Sequence, residues 1–441
     1  MLINSISLKN FKCFEELDVK FAPITLLTGA NSSGKSSLIN AILALLQTER
    51  FPFYLSPNGK YVNMGSFEEM VYDRNIKNDI SINIHSSESF YRDFTPIFEW
   101  IWKYDIMNSL PKLKMLCLKF EQDRLVHENW ELYVSETKDS LYDLNLYVKA
   151  PDVRFTDSIR NKFERIESLV GYIKPLERNY PDIRLEIKKS FHDLNQVFEL
   201  YMHPDFIFKN AFLGKFIDKN FNYIGSYRQP PERTYYQKAK AQSKVDTDGI
   251  GYIDQIIEWE ETDPEKFSEL SVLMQDLELV TDIKSNNLKG GRFELNIKTH
   301  PKATFSSLTD VGFGVSQFLP VIVADLQLPD KSCLAVSQPE IHLHPKIQAQ
   351  FGNYLANQIK RTEKQYIIET HSEYLLNRIR LLLTTGELKP EHVRVLYFEN
   401  DGIKSTVYNV EFATDGQIKG APTGFFDTYG IDVMDIALNA H

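Results

Sequence analysis

Residues 29 to 36 read Gly29-Ala30-Asn31-Ser32-Ser33-Gly34-Lys35-Ser36, which fits GxxxxGK[ST] without a mismatch. The frame around this loop is as restrictive as the loop itself. ITLLTG (24–29) is a continuous apolar run ending in glycine, the pattern of a strand buried on both faces. Beyond Ser37, residues Leu38, Ile39, Ile42, Leu45 and Leu46 recur at helical spacing. A strand, a glycine-rich turn and a helix in that order aim backbone N–H groups inward, and the helix adds partial positive charge at the same point. The product is a cradle for phosphate. Asn31, Ser32, Ser33, Gly34, Lys35, Ser36 and Ser37 are the candidate nucleotide contacts, with ATP and Mg2+ as the implied ligands. Lys35 is expected to reach the β- and γ-phosphates as a point charge and the Ser36 hydroxyl to sit on Mg2+. A chance glycine-rich turn of this form arises in roughly one chain in a hundred of this length, and the strand–loop–helix frame reduces that further.

Composition narrows the remaining classes. The chain has 441 residues, 43% hydrophobic and 25% charged, which is globular composition with ample core material. Fifty basic against 60 acidic residues give a net charge of −10, which excludes a globally basic nucleic-acid binder but leaves room for a local basic groove. Cys13, Cys117 and Cys333 lie far apart without a CxxC pair. A disulfide scaffold and a cysteine-rich zinc site are therefore excluded, and a reducing, cytoplasmic setting is expected. The opening MLINSISLKNFKCF lacks the apolar stretch of a secretory signal, and no run of 18 apolar residues is present to span a membrane.

Periodicity predicts an α/β chain with a split head. Strands are expected at 3–8, 16–21 and 24–29, then at 80–85, 113–120 and 141–148. The stretch 85–110, with four aromatics in FEWIWKY, reads as helical. So do the charged residues 155–200, although Pro175 and Pro181 exclude a long coiled coil through them. A polar loop follows at 225–250, then a helical stretch at 252–278 and a strand at 292–300. The last third alternates: helix 314–326, strand 332–337, helix 345–360, strand 365–371, a helix in EYLLNRIRLLL and a strand at 393–399. The expected organisation is a head of mixed central sheet built from residues 1–75 and 285–441, with an α+β insertion over 76–284.

A P-loop ATPase needs a second apolar strand ending in an acid that holds Mg2+. The candidate is Cys333-Leu334-Ala335-Val336-Ser337-Gln338-Pro339-Glu340. Ser337 stands at the metal-side position and Gln338 at the catalytic one. A hydroxyl orients a metal-bound water but supplies no charge, and Gln338 hydrogen-bonds an attacking water without acting as a base. Glu340, two residues on, is either a displaced base or an ordinary capping residue. This pattern supports ATP binding more strongly than fast hydrolysis.

Five segments together carry a family resemblance: LKNFKCF, TGANSSGKSS, DVGFGVSQFLP, SQPEIHLHP and IIETHSEYLLNRIR. They resemble the ABC-type AAA ATPases, in the branch shared with SMC, RecF and the overcoming-lysogenization-defect proteins. The chain looks most like stand-alone bacterial ATPases with a C-terminal extension of unknown function, here VRVLYFENDGIKSTVYNVEFATDGQIKGAPTGFFD. The resemblance implies an ABC-type P-loop ATPase head. It makes Gly29 to Ser37 the Walker A loop, and Gly312, Gly314, Ser316 and Gln317 the signature segment that contacts a partner subunit's γ-phosphate. It places Ser337 and Gln338 at the Walker B and catalytic positions, His342 and His344 in the D-loop region, and His371 at the switch histidine. Plainer readings stand beside these. His342 and His344 flank Leu343 just before Pro345 and suit a helix cap, and His371 precedes Ser372, a good N-cap. The aromatics near residue 100 suit a core better than a base-stacking platform. In the 225–250 loop, Arg228 and Arg233 around two prolines are the candidates for a phosphate or partner contact.

The resemblance further implies a homodimer, or a higher oligomer, that closes around ATP. It points to an antiviral role in which the ATPase scaffolds or gates a separate effector nuclease, as in Septu and PARIS systems. The stretch after His371 is too short for the Toprim nuclease domain of the overcoming-lysogenization-defect proteins, so cutting is expected from a partner. Two alternatives stay open: a DNA-repair ATPase of SMC or RecF type that binds nucleic acid, and a nucleotide-sensing scaffold that does not turn over. In all of them Lys35→Ala is expected to abolish ATP binding. Isothermal calorimetry with Mg2+ and ATP measures this, and unchanged heats in the variant would reduce the loop to a coincidental turn.

Overall fold

Strand alternation, carried by isoleucine and aromatic residues, builds the first half of the molecule. The computed structural model describes residues 2–48, 54–86, 94–107, 109–122, 129–136, 142–150, 173–176, 183–191, 220–236, 241–422, 425 and 438. The chain divides into two compact units. One comprises Met1–Lys20, Ser37–Lys219 and Asp401–Ser405, and the other Phe21–Ser36, Asn220–Asn400 and Thr406–His441.

The first unit is a nine-stranded antiparallel sheet. Its strands are β1 (Ile3–Phe11), β2 (Phe14–Lys20), β4 (Ile80–Ser86), β5 (Phe94–Asp105), β6 (Leu110–Gln122), β7 (Asn129–Glu136), β8 (Tyr142–Ala150), β9 (Ile173–Leu176) and β10 (Ile183–Phe191). They run in the order β2-β1-β4-β5-β6-β7-β8-β10-β9; β3 (Ile24–Gly29) belongs to the second unit. In β4 every second residue is buried, so Ile80, Ile82 and Ile84 share one face. The antiparallel register sets Ile84 opposite Phe98, Ile82 opposite Trp100 and Ile80 opposite Trp102. Those three aromatics are fully buried. Phe98 stacks on Trp100 at 5.3 Å, and Trp100 on Trp102 at 6.2 Å. Cross-strand pairs of this kind stabilise a sheet face.

Two expectations are corrected here. Within 85–110 the described residues are not helical: Phe94–Asp105 form β5, because the large aromatics recur every second residue and bury one face, and residues 87–93 and 108 lie outside the described residues. Within 155–200 the described residues 173–176 and 183–191 are strands, not helix, and Pro175 sits in the terminal strand β9, paired opposite Leu185. An edge position tolerates proline because no ladder hydrogen bond is lost on the open side. The rest of that stretch lies outside the described residues.

The second unit holds a seven-stranded sheet in the order β11-β16-β17-β3-β18-β19-β20. Its strands beside β3 are β11 (Phe221–Ile224), β16 (Cys333–Ser337), β17 (Gln365–Glu369), β18 (Val393–Asn400), β19 (Ser405–Phe412) and β20 (Ile418–Lys419). The run from β11 to β18 is parallel throughout. Every residue of β3, β16 and β17 is buried, which explains why these strands read as unbroken apolar runs. A small sheet joins β12 (Tyr235–Tyr236), β13 (Asp282–Leu288), β14 (Arg292–Lys298) and β15 (Ser306–Ser307). The helices, in chain order, are α1 (Lys35–Leu46), α2 (Phe67–Met70), α3 (Tyr252–Thr262), α4 (Pro264–Asp276), α5 (Phe313–Gln327), α6 (Pro345–Thr362) and α7 (Glu373–Thr384). The helical stretch expected at 252–278 is two helices. Asp263 ends the first and caps the second by accepting the Lys266 N–H at 3.1 Å, with Pro264 at the first helical position.

The division expected from sequence also shifts. β11, α3 and α4 lie inside the stretch drawn as insertion, yet they belong to the unit that holds the P-loop strand, and β11 pairs directly with β16. Conversely β1 and β2, drawn into the head, belong to the antiparallel sheet, where β2 pairs with β1 and β1 with β4. One polar knot ties α5 and α6 to β17. Asp325 on α5 accepts from Tyr354 on α6 and from Tyr366 at 3.1 Å, and pairs with Lys364 at 3.2 Å, with all four side chains buried.

Trp100→Ala removes the middle of the aromatic stack and leaves a cavity. It is expected to lower the stability of the antiparallel unit by about 3–5 kcal/mol. Urea unfolding followed by circular dichroism measures the change, and a loss below about 1 kcal/mol would mean that this face is not the core of that unit.

Candidate nucleotide and metal site

The site forms where the parallel strands end. β3 stops at Gly29, whose φ is +133°, and a Cβ there would lie 2.1 Å from the Phe398 carbonyl oxygen on the neighbouring strand β18. Only glycine fits. Ser32 (φ +59°) and Gly34 (φ +104°) turn the loop back into α1. Ser33 is buried, and its hydroxyl finds no hydrogen-bond partner among the described residues. The Lys35 side chain is 3% exposed and curls into its own loop. Its Nζ donates to the carbonyls of Gly29 at 3.0 Å and Ala30 at 2.6 Å. Burial lowers the Lys35 pKa, while Glu369 and Glu340 hold it up. An orphaned hydroxyl and an ammonium satisfied only by neutral carbonyls fit a site that receives phosphate oxygens.

Beside the loop, hydroxyls converge on one carboxylate. Ser36 Oγ donates to both oxygens of Glu369, at 2.8 and 3.0 Å. Ser337 Oγ donates to Glu369 Oε2 at 2.8 Å. Tyr223 on β11 lies 3.1 Å from Ser337 Oγ. The Ser337 proton is committed to Glu369, so Tyr223 is the donor in that pair. Burial raises the Tyr223 pKa, keeping the phenol protonated for this role. These donors are all hard oxygens and suit Mg2+ rather than a softer metal. Among the described residues no group of three or more His, Cys, Asp or Glu could hold a metal ion.

Around the turn after β16, Gln338 adopts a left-handed conformation (φ +48°) and its N–H donates to the Glu369 carbonyl at 2.6 Å. Arg228 lies beneath this turn, 3% exposed, and donates from NH2 to the Ser337 carbonyl at 2.7 Å. Its Nε and Nη1 are buried without a hydrogen-bond partner among the described residues. Burial pulls the Arg228 pKa down to about 10, with Glu340 opposing, so the side chain remains a cation at neutral pH. Glu340 Oε1 accepts the His371 N–H at 2.6 Å, and Oε2 is buried without a hydrogen-bond partner among the described residues. Burial raises the Glu340 pKa, partly offset by the His371 N–H. Partial desolvation, then the Lys35 charge, lowers the His371 pKa and leaves the imidazole neutral at pH 7.

Of the residues singled out from sequence, Lys35, Ser36, Ser337, Gln338, Glu340 and His371 gather at this one edge. Asn31 and Ser32 are exposed on the loop, and Ser37 is the third residue of α1. Gly312 and Gly314 lie at the amino end of α5, where a Cβ on Gly314 would meet the His342 carbonyl at 2.7 Å. Ser316 and Gln317 face inward instead. Both are buried, Ser316 donating to the Phe313 carbonyl at 3.0 Å and Gln317 approaching the Arg228 carbonyl at 3.4 Å. His344 caps α6 by accepting the Lys346 N–H at 3.3 Å, whereas His342 is exposed and packs against Phe313. Arg233 pairs with Asp310 on the surface at 2.7 Å, and Arg228, expected as a surface contact, is buried under the β16 turn. Sequence reading passed over Glu369 and Tyr223. The available signal was an acid at the end of the apolar strand QYIIE, two residues before His371.

Solved structures similar to this chain include three SMC heads. One is the SmcHead bound to the C-winged helix domain of ScpA, 12% identical, with a TM-score of 0.43, over 93% of this chain and 98% of that one. The SMC head domain from Thermotoga maritima is 13% identical, with a TM-score of 0.38, over 93% and 100%. The Smc head with an extended coiled coil bound to the C-terminal domain of ScpA, from Pyrococcus furiosus, is 12% identical, with a TM-score of 0.39, over 99% of each chain. No curated protein sequence matches the chain. The family model of the AAA ATPase domain matches residues 1–376, a span that includes the P-loop, the β16 turn and Glu369. The chain belongs to the AAA ATPase domain family.

Proposed function

We propose that this protein is a slowly hydrolysing ATPase of the ABC type that closes as a dimer around ATP and gates a separate effector nuclease in prokaryotic anti-phage defence. The observation that carries the ATPase reading is the Lys35 ammonium, buried against the Gly29 and Ala30 carbonyls beside the unpartnered Ser33 hydroxyl. Phosphate oxygens exchange with those carbonyls at little desolvation cost, because the ammonium is already stripped of water. Ser36 would help hold Mg2+, which would supply charge to offset that of the phosphates. Gln338 hydrogen-bonds the attacking water, and Glu340 receives its proton. Glu340 suits that task because its raised pKa makes it a stronger base than an exposed carboxylate, and its Oε2 makes no hydrogen bond among the described residues.

The dimer reading rests on the amino end of α5. Phe313 is 59% exposed there and packs against the exposed His342 ring, and Gly312 leaves the helix tip open. The defence and effector readings rest on the resemblance of the five motif segments. A non-hydrolysing sensor is the second reading. It is favoured by Ser337 and Gln338, two neutral side chains where acids are expected.

Glu340→Gln separates the two. Loss of a general base lowers turnover by about a hundredfold or more, while ATP affinity stays within about twofold. Wild-type turnover falls as pH drops through the raised Glu340 pKa, since the base must be ionised to act, and the variant loses that acid limb. Phosphate release measured between pH 5 and 9 reads both effects. Equal turnover in variant and wild type removes Glu340 from the mechanism. No turnover in the wild type, with ATP binding intact, selects the sensor. DNA degradation by the purified chain alone with Mg2+ or Mn2+ overturns the separate-effector reading.

A further inference from the structure

We infer that Glu369, on β17, is the metal-side acid of this ATPase, transposed by one strand from the position where Ser337 stands. The inference rests on the nucleotide reading of the P-loop and goes beyond it. Its first support is the hydrogen-bond pattern. Ser36, the loop hydroxyl expected on Mg2+, donates directly to both Glu369 oxygens. Ser337 donates to the same carboxylate. Both hydroxyls thus converge on this one side chain, whose two oxygens offer several acceptor sites.

The second support is register. β17 lies between β16 and β3. Glu369 is level with Ser337 on one side and with Leu27, two residues before the loop's Gly29, on the other. Neighbouring strands are about 4.8 Å apart. A carboxylate at position 337 would have to reach across β17 to the loop, whereas one at 369 starts a strand closer. The third support is electrostatic. Glu369 is 5% exposed, and its side-chain contacts in this cluster are the neutral hydroxyls of Ser36 and Ser337. A buried carboxylate held by hydroxyls at the mouth of a phosphate cradle is placed to share a cation with Ser36.

A purely structural Glu369 would support the turn without touching metal, and the test separates the two roles. Calorimetry compares ADP affinity in EDTA with affinity in Mg2+, and electron paramagnetic resonance follows Mn2+ bound with ADP. Glu369→Gln is expected to lose about 10–100-fold in Mg2+-supported affinity, to lose the Mn2+ signal, and to keep its metal-free ADP affinity. Adding Ser337→Asp to Glu369→Gln returns a carboxylate to the strand next door and is expected to restore both readings. A Glu369→Gln protein that keeps the Mg2+ gain overturns the inference, and so does a double variant that restores none of it. Should Glu369→Gln fail to fold, the folded Glu340→Gln protein labelled with carboxyl-13C glutamate decides. A strong 13C coupling to bound Mn2+ supports Glu369 as ligand, and its absence overturns it. Failure of the wild type to bind ADP in EDTA marks instead the failure of the nucleotide reading, and the inference goes with it.

Discussion

A cation held away from water inside its own backbone loop organises the nucleotide end of this molecule. Lys35 is satisfied by the carbonyls of Gly29 and Ala30, which compensate part of its lost hydration but none of its charge. That arrangement requires the chain to turn sharply at Gly29, hard against the Phe398 carbonyl on β18. The turn in turn requires β3 to lie between β17 and β18 in parallel register. The fully buried strands, the glycine and the lysine are thus one constraint seen at three scales. The sheet fixes where the loop starts, the loop fixes where the ammonium sits, and the ammonium fixes where an anion is favourable.

Much of this was legible in the sequence because its signals are local. GxxxxGKS names its own geometry, and ITLLTG, SCLAVS and QYIIE are short apolar runs of the kind that parallel strands need. The α6 and α7 helices announce themselves through a proline at the first position and a serine cap. The failures are equally physical. FEWIWKY has enough aromatics to suggest a buried helix, but Phe98, Trp100, Trp102 and Tyr104 recur with period two, and that spacing decides. β11 has four residues, and its partner β16 lies more than a hundred positions away, so no local pattern could assign it to the P-loop sheet. Glu369 was hidden by context. Within IIETH the eye follows the apolar run and the histidine, and only the register of three strands brings the acid beneath Ser36.

The neutral residue at Ser337 is consistent with the charges that surround it. At this edge Lys35 and Arg228 bring two positive charges, and Glu369 and Glu340 bring two carboxylates. An acid added at 337 would stand beside Glu369 on the adjacent strand, at a paired position and on the same face. Two buried carboxylates that close raise one another's pKa, so one of them would hold its proton and contribute no charge. With serine there, the hydroxyl donates to Glu369 and in turn receives the Tyr223 proton. The site keeps one acid next to Ser36, fixed by donors on both sides, instead of two that compete. The departure at Ser337 then reads as a consequence of Glu369, and a missing acid on β16 is not by itself a sign that the site has decayed.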